Sequence, residues 1–232
     1  PNIDFNIRHG NTLIGFTEVE EVANDSGDAS LSNYGGGAGT GIKEMYEGGI
    51  EAIERHQDAT SSQVAANARK LAESRIDSHS EKLNQKILDQ FRAAGIEGVD
   101  EKTLEEYHPF HWVIEFPTIY RDGGFDIIIG NPPWDVLTPD RSHFFPKYDE
   151  QFRTRSPSEK DQKEEELLSD PNIAAEYEEF KENMQNRSDY YNSSDQYRLQ
   201  KPTVGGQTVA TETDLSLLFF ERVTQLAGDQ SY

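Results

Sequence analysis

The 232-residue chain contains no cysteine. Disulfides and thiolate metal sites are therefore excluded, and such a composition is typical of a reducing compartment such as the cytoplasm. No apolar run approaches the roughly 20 residues that a membrane-spanning helix needs, so we expect no membrane partner. A signal peptide is also lacking, and the first residue is Pro1 rather than Met. We therefore expect a fragment or a processed piece of a cytoplasmic protein.

Basic residues are few, with 22 Lys and Arg against 43 Asp and Glu and a formal charge of −21. Because Lys and Arg normally drive DNA binding, this composition taken alone argues against a nucleic-acid partner. A basic surface outside this sequence would reconcile the acidic composition with DNA binding. Adaptation to concentrated salt would also reconcile them, since the Debye length falls to about 3 Å at 1 M salt and repulsion between surface charges is then screened. The acids are spread along the chain rather than gathered in a tail, which favours the halophilic explanation.

The most informative stretch is residues 125–134. An aromatic residue and an acid precede three isoleucines and a glycine, and the stretch then ends with Asn131, Pro132, Pro133 and Trp134. The apolar run predicts a short buried strand, which the two prolines stop. Ligands in open α/β sheets lie just beyond the carboxyl ends of strands. The pattern therefore predicts a functional loop at residues 131–134.

This pattern resembles the catalytic motif of the amino-methyltransferases that methylate N6 of adenine in DNA. The flanking segments 2–15, 111–117, 123–126 and 213–222 are similar to those of large type IIG restriction-modification enzymes and related phage-defence methylases. The resemblance implies that S-adenosylmethionine is the cofactor and that double-stranded DNA is the partner. It also implies catalytic roles for four residues, Asn131, Pro132, Pro133 and Trp134.

The chemistry of the motif follows from its residue types. Adenine N6 is a poor nucleophile, because its lone pair is delocalised into the ring. The amide oxygen of Asn131 and the carbonyl of Pro132 can each accept one N6 hydrogen, which favours attack by that nitrogen. The indole of Trp134 offers a flat face for a base that has been flipped out of the duplex.

The resemblance and the apolar pattern together predict an α/β fold, a partial Rossmann-like methyltransferase sheet with a large helical insertion. Residues 1–23 and 99–232 would form part of the catalytic domain, and residues 24–98 would form a glycine-rich linker and the helical insertion. The pattern predicts strands within residues 2–16, at 113–116 after an aromatic approach at 108–112, and at 125–130. It predicts helices at 43–56, 61–94, 159–186 with a break at Pro171, and 215–227. Residues 135–158 are typical of a long irregular loop.

Further binding residues are predicted outside the motif. Asn11 lies in a turn that the family places near the cofactor or the target base, although an asparagine that merely tolerates the turn explains it equally well. Residues 187–201 mix aromatic and basic side chains, so Tyr190, Tyr191 and Arg198 are candidates for DNA contact. The histidines lack the spacing and acidic neighbours of a metal site, and we expect no metal.

A methyltransferase of the family that this sequence resembles holds S-adenosylmethionine with a glycine-containing loop after its first strand and an acid after its second, and neither is found in this sequence. We therefore expect the chain on its own to bind the cofactor weakly and to be inactive, with the rest of its polypeptide as a partner. Two alternatives stay open. One is a non-catalytic α/β interaction module in which residues 131–134 are only a rigid turn, and the other is a methyltransferase that acts on a protein amide. Burial of Trp134 in a core would favour the module.

Overall fold

The computed structural model describes residues 5–18, 38–199, 201, 203–204, 207–208 and 213–228. The chain divides into two compact units. The first comprises Pro1–Ala93, Val99–Asn131 and Phe219–Tyr232, and the second comprises Ala94–Gly98 and Pro132–Leu218. Most of the predicted glycine-rich linker, residues 24–37, lies outside the described residues. The predicted division into a catalytic part and an insertion remains a prediction.

Two long helices, α1 (Ala38–Gln57) and α2 (Ser62–Ala93), confirm the helices predicted at 43–56 and 61–94. They run antiparallel. Near the connection the imidazole of His56 meets the carbonyl of Ala65 at 2.8 Å. Farther from the connection, apolar residues of the two helices form a shared core, namely Ala52, Ile53, Ala72 and Ile76. Burial of this core, rather than helix propensity alone, stabilises the pair.

The buried face of α2 recurs at helical spacing and consists of Ala68, Ala72, Ile76, Leu83, Ile87, Leu88 and Phe91. In the sequence, an apolar stripe recurs mostly at intervals of three, four or seven residues and predicts this helix, and five of the buried residues belong to it. Two other members of that stripe, Val64 and Leu71, are 52% and 40% exposed. Gly95, with φ at +78°, follows the end of the helix and provides the predicted stop.

Three short helices follow in the first unit, α3 (Glu101–Glu106), α4 (Trp112–Glu115) and α5 (Pro117–Arg121). The strand predicted at 113–116 is therefore wrong. The backbone N–H of Glu115 donates to the carbonyl of His111 at 3.0 Å, which closes a helical turn. The β-branched residues at this position suggested a strand, but β propensity is weak and depends on a neighbouring strand.

The strands predicted within residues 2–16 are also wrong for the described part, 5–18. These residues form turns, with one isolated bridge between Asn11 and Pro109. The expected alternation fails because Ile7 is 75% exposed while Phe5 is buried. The segment is held instead by Phe110, whose backbone N–H donates to the carbonyl of Ile14 at 2.7 Å.

The second unit contains α6 (Arg141–Phe144), α7 (Pro157–Leu168) and α8 (Pro171–Ser193). The last two confirm the predicted helices and their break. Pro171 is the first residue of α8, and the carboxylate of Asp170 accepts a hydrogen bond from the backbone N–H of Asn172 at 2.8 Å. This arrangement is a typical helix start, since proline lacks the N–H that would be unpaired there.

Residues 135–158 are more ordered than the predicted irregular loop. They include α6 and the short 3-10 helices Phe145–Lys147 and Phe152–Thr154. Their rings pack against α7 and α8 in an aromatic core that contains Phe144, Phe145, Phe152 and Tyr177. This core explains why a polar segment adopts a defined path.

Helix α9 (Leu215–Leu226) confirms the last predicted helix. The carboxylate of Asp214 caps its first turn by accepting hydrogen bonds from the backbone N–H groups of Ser216 at 2.8 Å and Leu217 at 3.4 Å. Among the described ranges, no helix is both long and apolar enough to pass through a lipid bilayer.

The predicted Rossmann-like sheet is wrong. In the described part of the chain, the only strands are β1 (Thr203–Val204) and β2 (Gln207–Thr208), which pair antiparallel. Residues 126–131 have no neighbouring strand, and Ile127 and Ile129 are 77% and 92% exposed. A helix satisfies its backbone groups within its own segment, whereas a strand needs a partner, and here the apolar run has none.

Candidate functional site

The motif segment 126–134 begins from a backbone pairing in the first unit. Phe125 forms an isolated parallel bridge with Ala227, just after α9. The backbone N–H of Phe125 donates to the carbonyl of Leu226 at 3.2 Å, and the N–H of Gly228 donates to the carbonyl of Phe125 at 3.2 Å. The upstream end of the segment is therefore held by two backbone hydrogen bonds.

A second backbone pairing, within the second unit, holds the downstream end. Val136 forms an antiparallel bridge with Asp214. The N–H of Leu137 donates to the carbonyl of Thr213 at 2.8 Å, and the N–H of Leu215 donates to the carbonyl of Asp135 at 3.1 Å. The same Asp214 caps α9, so this attachment is tied to the start of a helix.

Between these attachments, no residue from 126 to 134 takes part in a hydrogen bond, and all nine belong to the described residues. Asn131 and Pro133 are exposed, Pro132 is half-buried, and Trp134 is 80% exposed. The boundary between the two units falls between Asn131 and Pro132. The Asn131 amide, the Pro132 carbonyl and the Trp134 indole thus have no partner inside the chain and are available to an external group.

Asn11 stabilises the turn in which it lies. Its side-chain oxygen accepts a hydrogen bond from the N–H of Leu13 at 3.1 Å, and its backbone N–H donates to the carbonyl of His108 at 2.6 Å. This is the role in the turn that explains the asparagine as well as cofactor binding does. The predicted contact with the cofactor stays a prediction.

A cavity of about 350 Å³ lies beside that turn within the first unit. Its walls include four aromatic rings, those of Phe110, Trp112, Phe116 and Phe125. Arg8 also lines it and lies 3.2 Å from Glu115. Burial raises the pKa of Glu115, and the positive charge of Arg8 opposes that rise. The cavity has the size and lining that suit one flat ring system.

The residues predicted to contact DNA lie in the second unit. Tyr190 and Tyr191, near the end of α8, are 1% and 3% exposed, and their rings touch edge to face with centroids 5.8 Å apart. Arg198 is exposed and lies 3.4 Å from Asp195. In this arrangement neither tyrosine presents a ring face to a base without rearrangement. Their role in DNA contact stays a prediction.

His111 organises the region beside the cavity. Its imidazole is buried and stacks on Phe16 with a centroid distance of 5.6 Å. Nδ1 accepts a hydrogen bond from the N–H of Phe16 at 3.4 Å, so Nε2 carries the proton and donates to the side-chain oxygen of Asn84 at 2.9 Å. Burial lowers its pKa from 6.5 to about 3, so the ring is neutral at physiological pH.

Sequence reasoning missed a second buried side chain, Arg222. This guanidinium is 1% exposed and donates hydrogen bonds to the carbonyls of Leu13 at 3.1 Å and Gly15 at 3.4 Å. Its position on α9 contained the signal, because it lies four residues from both Leu218 and Leu226 on the buried stripe. The arginine thereby links α9 to the turn that contains Asn11.

Among the described residues, no group of three or more His, Cys, Asp or Glu is arranged to hold a metal ion. The predicted catalytic residues 131–134 are consecutive in the chain, whereas Asn11 belongs to the first unit, and Tyr190, Tyr191 and Arg198 belong to the second.

Known proteins provide two matches. Residues 49–164 match the family of the Eco57I restriction-modification methylases, a range that includes the whole motif segment. A putative type II restriction enzyme and methyltransferase of Methanocaldococcus jannaschii is 43% identical over 47 residues, which is 20% of this chain and 4% of that protein. No solved structure shows a significant match. Since the matched range covers half of the residues of this chain, the chain belongs to the Eco57I restriction-modification methylase family.

Proposed function

We propose that the chain is part of a site-specific DNA methyltransferase that transfers a methyl group from S-adenosylmethionine to N6 of a flipped adenine. Such an enzyme would act in a restriction-modification or phage-defence system. The observation that carries the proposal is the exposed, unpartnered Asn131-Pro132-Pro133-Trp134 loop in a member of this methylase family. The matched relative is far longer than the aligned segment, which supports a role as part of a larger enzyme.

The proposed role of the loop is to hold and orient the amino group. The Asn131 amide oxygen and the Pro132 carbonyl would each accept one N6 hydrogen, and Pro133 would keep the corner rigid. Stacking on Trp134 would contribute about 1–3 kcal/mol, the range found for bases on aromatic side chains. Catalysis would then come mainly from orientation of the reacting nitrogen, since the loop contains no charged group between residues 127 and 134.

The exposure of Trp134 supports this proposal over the interaction-module alternative. A rigid turn inside a module would bury its large indole, because an aromatic ring of this size gains most from a core position. Here the ring is 80% exposed. A ring left open beside two free acceptors favours recognition of an external planar group.

The described residues do not form a complete cofactor site. The cavity beside Asn11 could accept one ring system, but none of the residues that line it is acidic, so none can hold ribose hydroxyls as an acid would. The oxygen of Asn11 is already used by Leu13. S-adenosylmethionine would supply the methyl group, and we propose that other parts of the parent enzyme hold it. Calorimetry with this chain should show weak binding or none.

The charge of −21 needs a separate explanation if the target is double-stranded DNA. We propose that a basic recognition surface lies elsewhere in the parent enzyme, or that the host protein functions in concentrated salt. In either case, phosphate contacts do not come mainly from this acidic chain. The proposed protein partner is therefore the rest of its own polypeptide.

Asn131→Ala tests the proposal in the full enzyme that contains this chain. Transfer of a labelled methyl group to adenine in duplex DNA should be lost. The fold should be unchanged, because an exposed side chain without partners contributes within about 0.5 kcal/mol. Asn172→Ala is the matched control, since Asn172 is an exposed asparagine of α8 outside the motif. Full DNA methylation by the Asn131→Ala enzyme would overturn the proposal.

Trp134 provides a second arm of the same experiment. Trp134→Phe retains a ring for stacking and should keep partial activity, whereas Trp134→Ala should weaken binding of the flipped base. If methyl transfer occurs to an amide of a protein substrate and not to DNA, the protein-amide alternative replaces the proposal.

A further inference from the structure

Two backbone segments of the first unit cross at very short range just before the motif segment. The turn at Gly123 and Gly124 has φ values of +105° and +101°. A Cβ added to Gly124 would lie 3.0 Å from both the Cα and the nitrogen of Gly228 and 3.2 Å from the carbonyl oxygen of Leu226. A Cβ added to Gly228 would overlap the carbonyl oxygen of Gly123. Only residues without a side chain fit on both sides of this crossing.

The crossing brings together the atoms that anchor Phe125. Gly124 immediately precedes Phe125, and the backbone N–H of Gly228 itself donates one of the two hydrogen bonds that hold Phe125. If either glycine gained a side chain, the two segments would have to separate, and hydrogen bonds of 3.2 Å would lengthen beyond the range in which they are effective.

No hydrogen bond holds the chain between this crossing and Asn131, a stretch that the structure describes in full. Ile127 and Ile129 are exposed, and Ile128 is half-buried. Within the first unit, the position of the Asn131 backbone is therefore set mainly from Phe125. A shift at the crossing is carried along six residues to the catalytic amide.

We infer that Gly124 and Gly228 are positioning residues for methyl transfer, because their crossing aims the segment that bears Asn131. This inference rests on the proposed function of the motif. Neither glycine touches the substrate, and the effect acts through Phe125. A misplacement of about 1 Å in a catalytic group can reduce the rate about 10²-fold, which sets the expected size of the effect.

Gly228→Ala is the sharpest test, because Gly228 does not have a positive φ and the substitution blocks the crossing without straining its own backbone. Gly123→Ala is the control for strain, since Gly123 has a positive φ but open space around its added Cβ. Gly49→Ala, in α1 and also in open space, controls for the loss of a glycine.

The first measurement is amide hydrogen exchange in this 232-residue chain. Gly228→Ala should accelerate exchange of the Phe125 amide at least about fivefold, which corresponds to the loss of one hydrogen bond of about 1 kcal/mol. Exchange in α2 should not change. If Gly123→Ala has the same effect as Gly228→Ala, strain in the turn controls the anchor and the inference is wrong.

The second measurement is methyl transfer by the full enzyme that contains the chain. Gly228→Ala should lower kcat about 10²-fold while KM for DNA stays within about twofold, because orientation is lost but binding is not. Faster exchange at Phe125 with an unchanged kcat would show a purely structural crossing and would overturn the inference. Activity retained by Asn131→Ala would instead overturn the proposed function, so the two failures are distinguishable.

Discussion

Acidification from pH 7.5 to 5.5 should destabilise this chain through His111. The imidazole is buried against Phe16. It accepts a hydrogen bond from the backbone N–H of Phe16 and donates one to the side-chain oxygen of Asn84. Only the neutral ring suits these partners, because Nδ1 must accept a hydrogen bond. Protonation would place an unpaired charge in a buried site.

The magnitude follows from the two pKa values. The pKa of His111 is about 3 in the folded chain, lowered by burial, and 6.5 is its ordinary value in the unfolded chain. Below pH 6.5 the unfolded state therefore binds more protons, and folding stability falls as the pH falls toward 3. Linkage between pH 7.5 and 5.5 gives a loss of about 1.4 kcal/mol in the free energy of unfolding.

Urea unfolding at both pH values, followed by circular dichroism at fixed salt, measures this loss. His111→Phe is the reference variant, because it keeps a ring against Phe16 but cannot titrate. The variant should be less stable at pH 7.5, since two polar partners become unpaired. Its stability should nevertheless fall by about 1.4 kcal/mol less than that of the wild type between the two pH values, because the other titrating groups are common to both chains.

Equal pH dependence in the wild type and in His111→Phe would refute this reasoning. It would mean that the imidazole is hydrated or that it gains its proton as readily in the folded as in the unfolded chain. A larger loss in the variant than in the wild type would contradict the predicted sign.

Three further predictions concern stability, each measured by urea unfolding. Ile76→Ala should lower the free energy of unfolding by about 2–5 kcal/mol, because it leaves a cavity between α1 and α2. Val64→Ala, on the exposed side of α2, should change it by less than about 0.5 kcal/mol. Similar losses for the two variants would mean that the two helices do not pack as described. Asp214→Ala should cost about 1 kcal/mol by removing the cap of α9, and Asp214→Asn should restore most of it. If the acidic composition reflects halophily, stability should rise from dilute buffer to about 2 M KCl, since about 1 M salt already shortens the Debye length to about 3 Å; full stability without salt would remove that explanation.

The residues of the candidate site are a prediction from sequence, whereas their surroundings come from the structure. Asn131 to Trp134 stand out because a double proline after an apolar run is a local pattern. The anchors of the segment were not predictable, because Phe125 pairs with residues about 100 positions away along the chain. The burial of Arg222 was indicated by its place on the apolar stripe of α9, but its carbonyl partners at Leu13 and Gly15 were not predictable, since they are more than 200 residues distant.

Local sequence was sufficient to predict the longer helices α1, α2, α7, α8 and α9, but not the short helices α3 to α6, one of which replaces a predicted strand. The spacing of apolar residues in α2, the proline at the start of α8 and the carboxylate before α9 act within a few residues, and a helix closes its hydrogen bonds within the same range. Long-range packing decided the other features of the structure. It determined whether the apolar run after Phe125 has a strand beside it, and which of Tyr190, His111 and Trp134 are buried. A strand and a buried polar group both depend on partners from distant segments, so the same residues allow either outcome until the chain has folded.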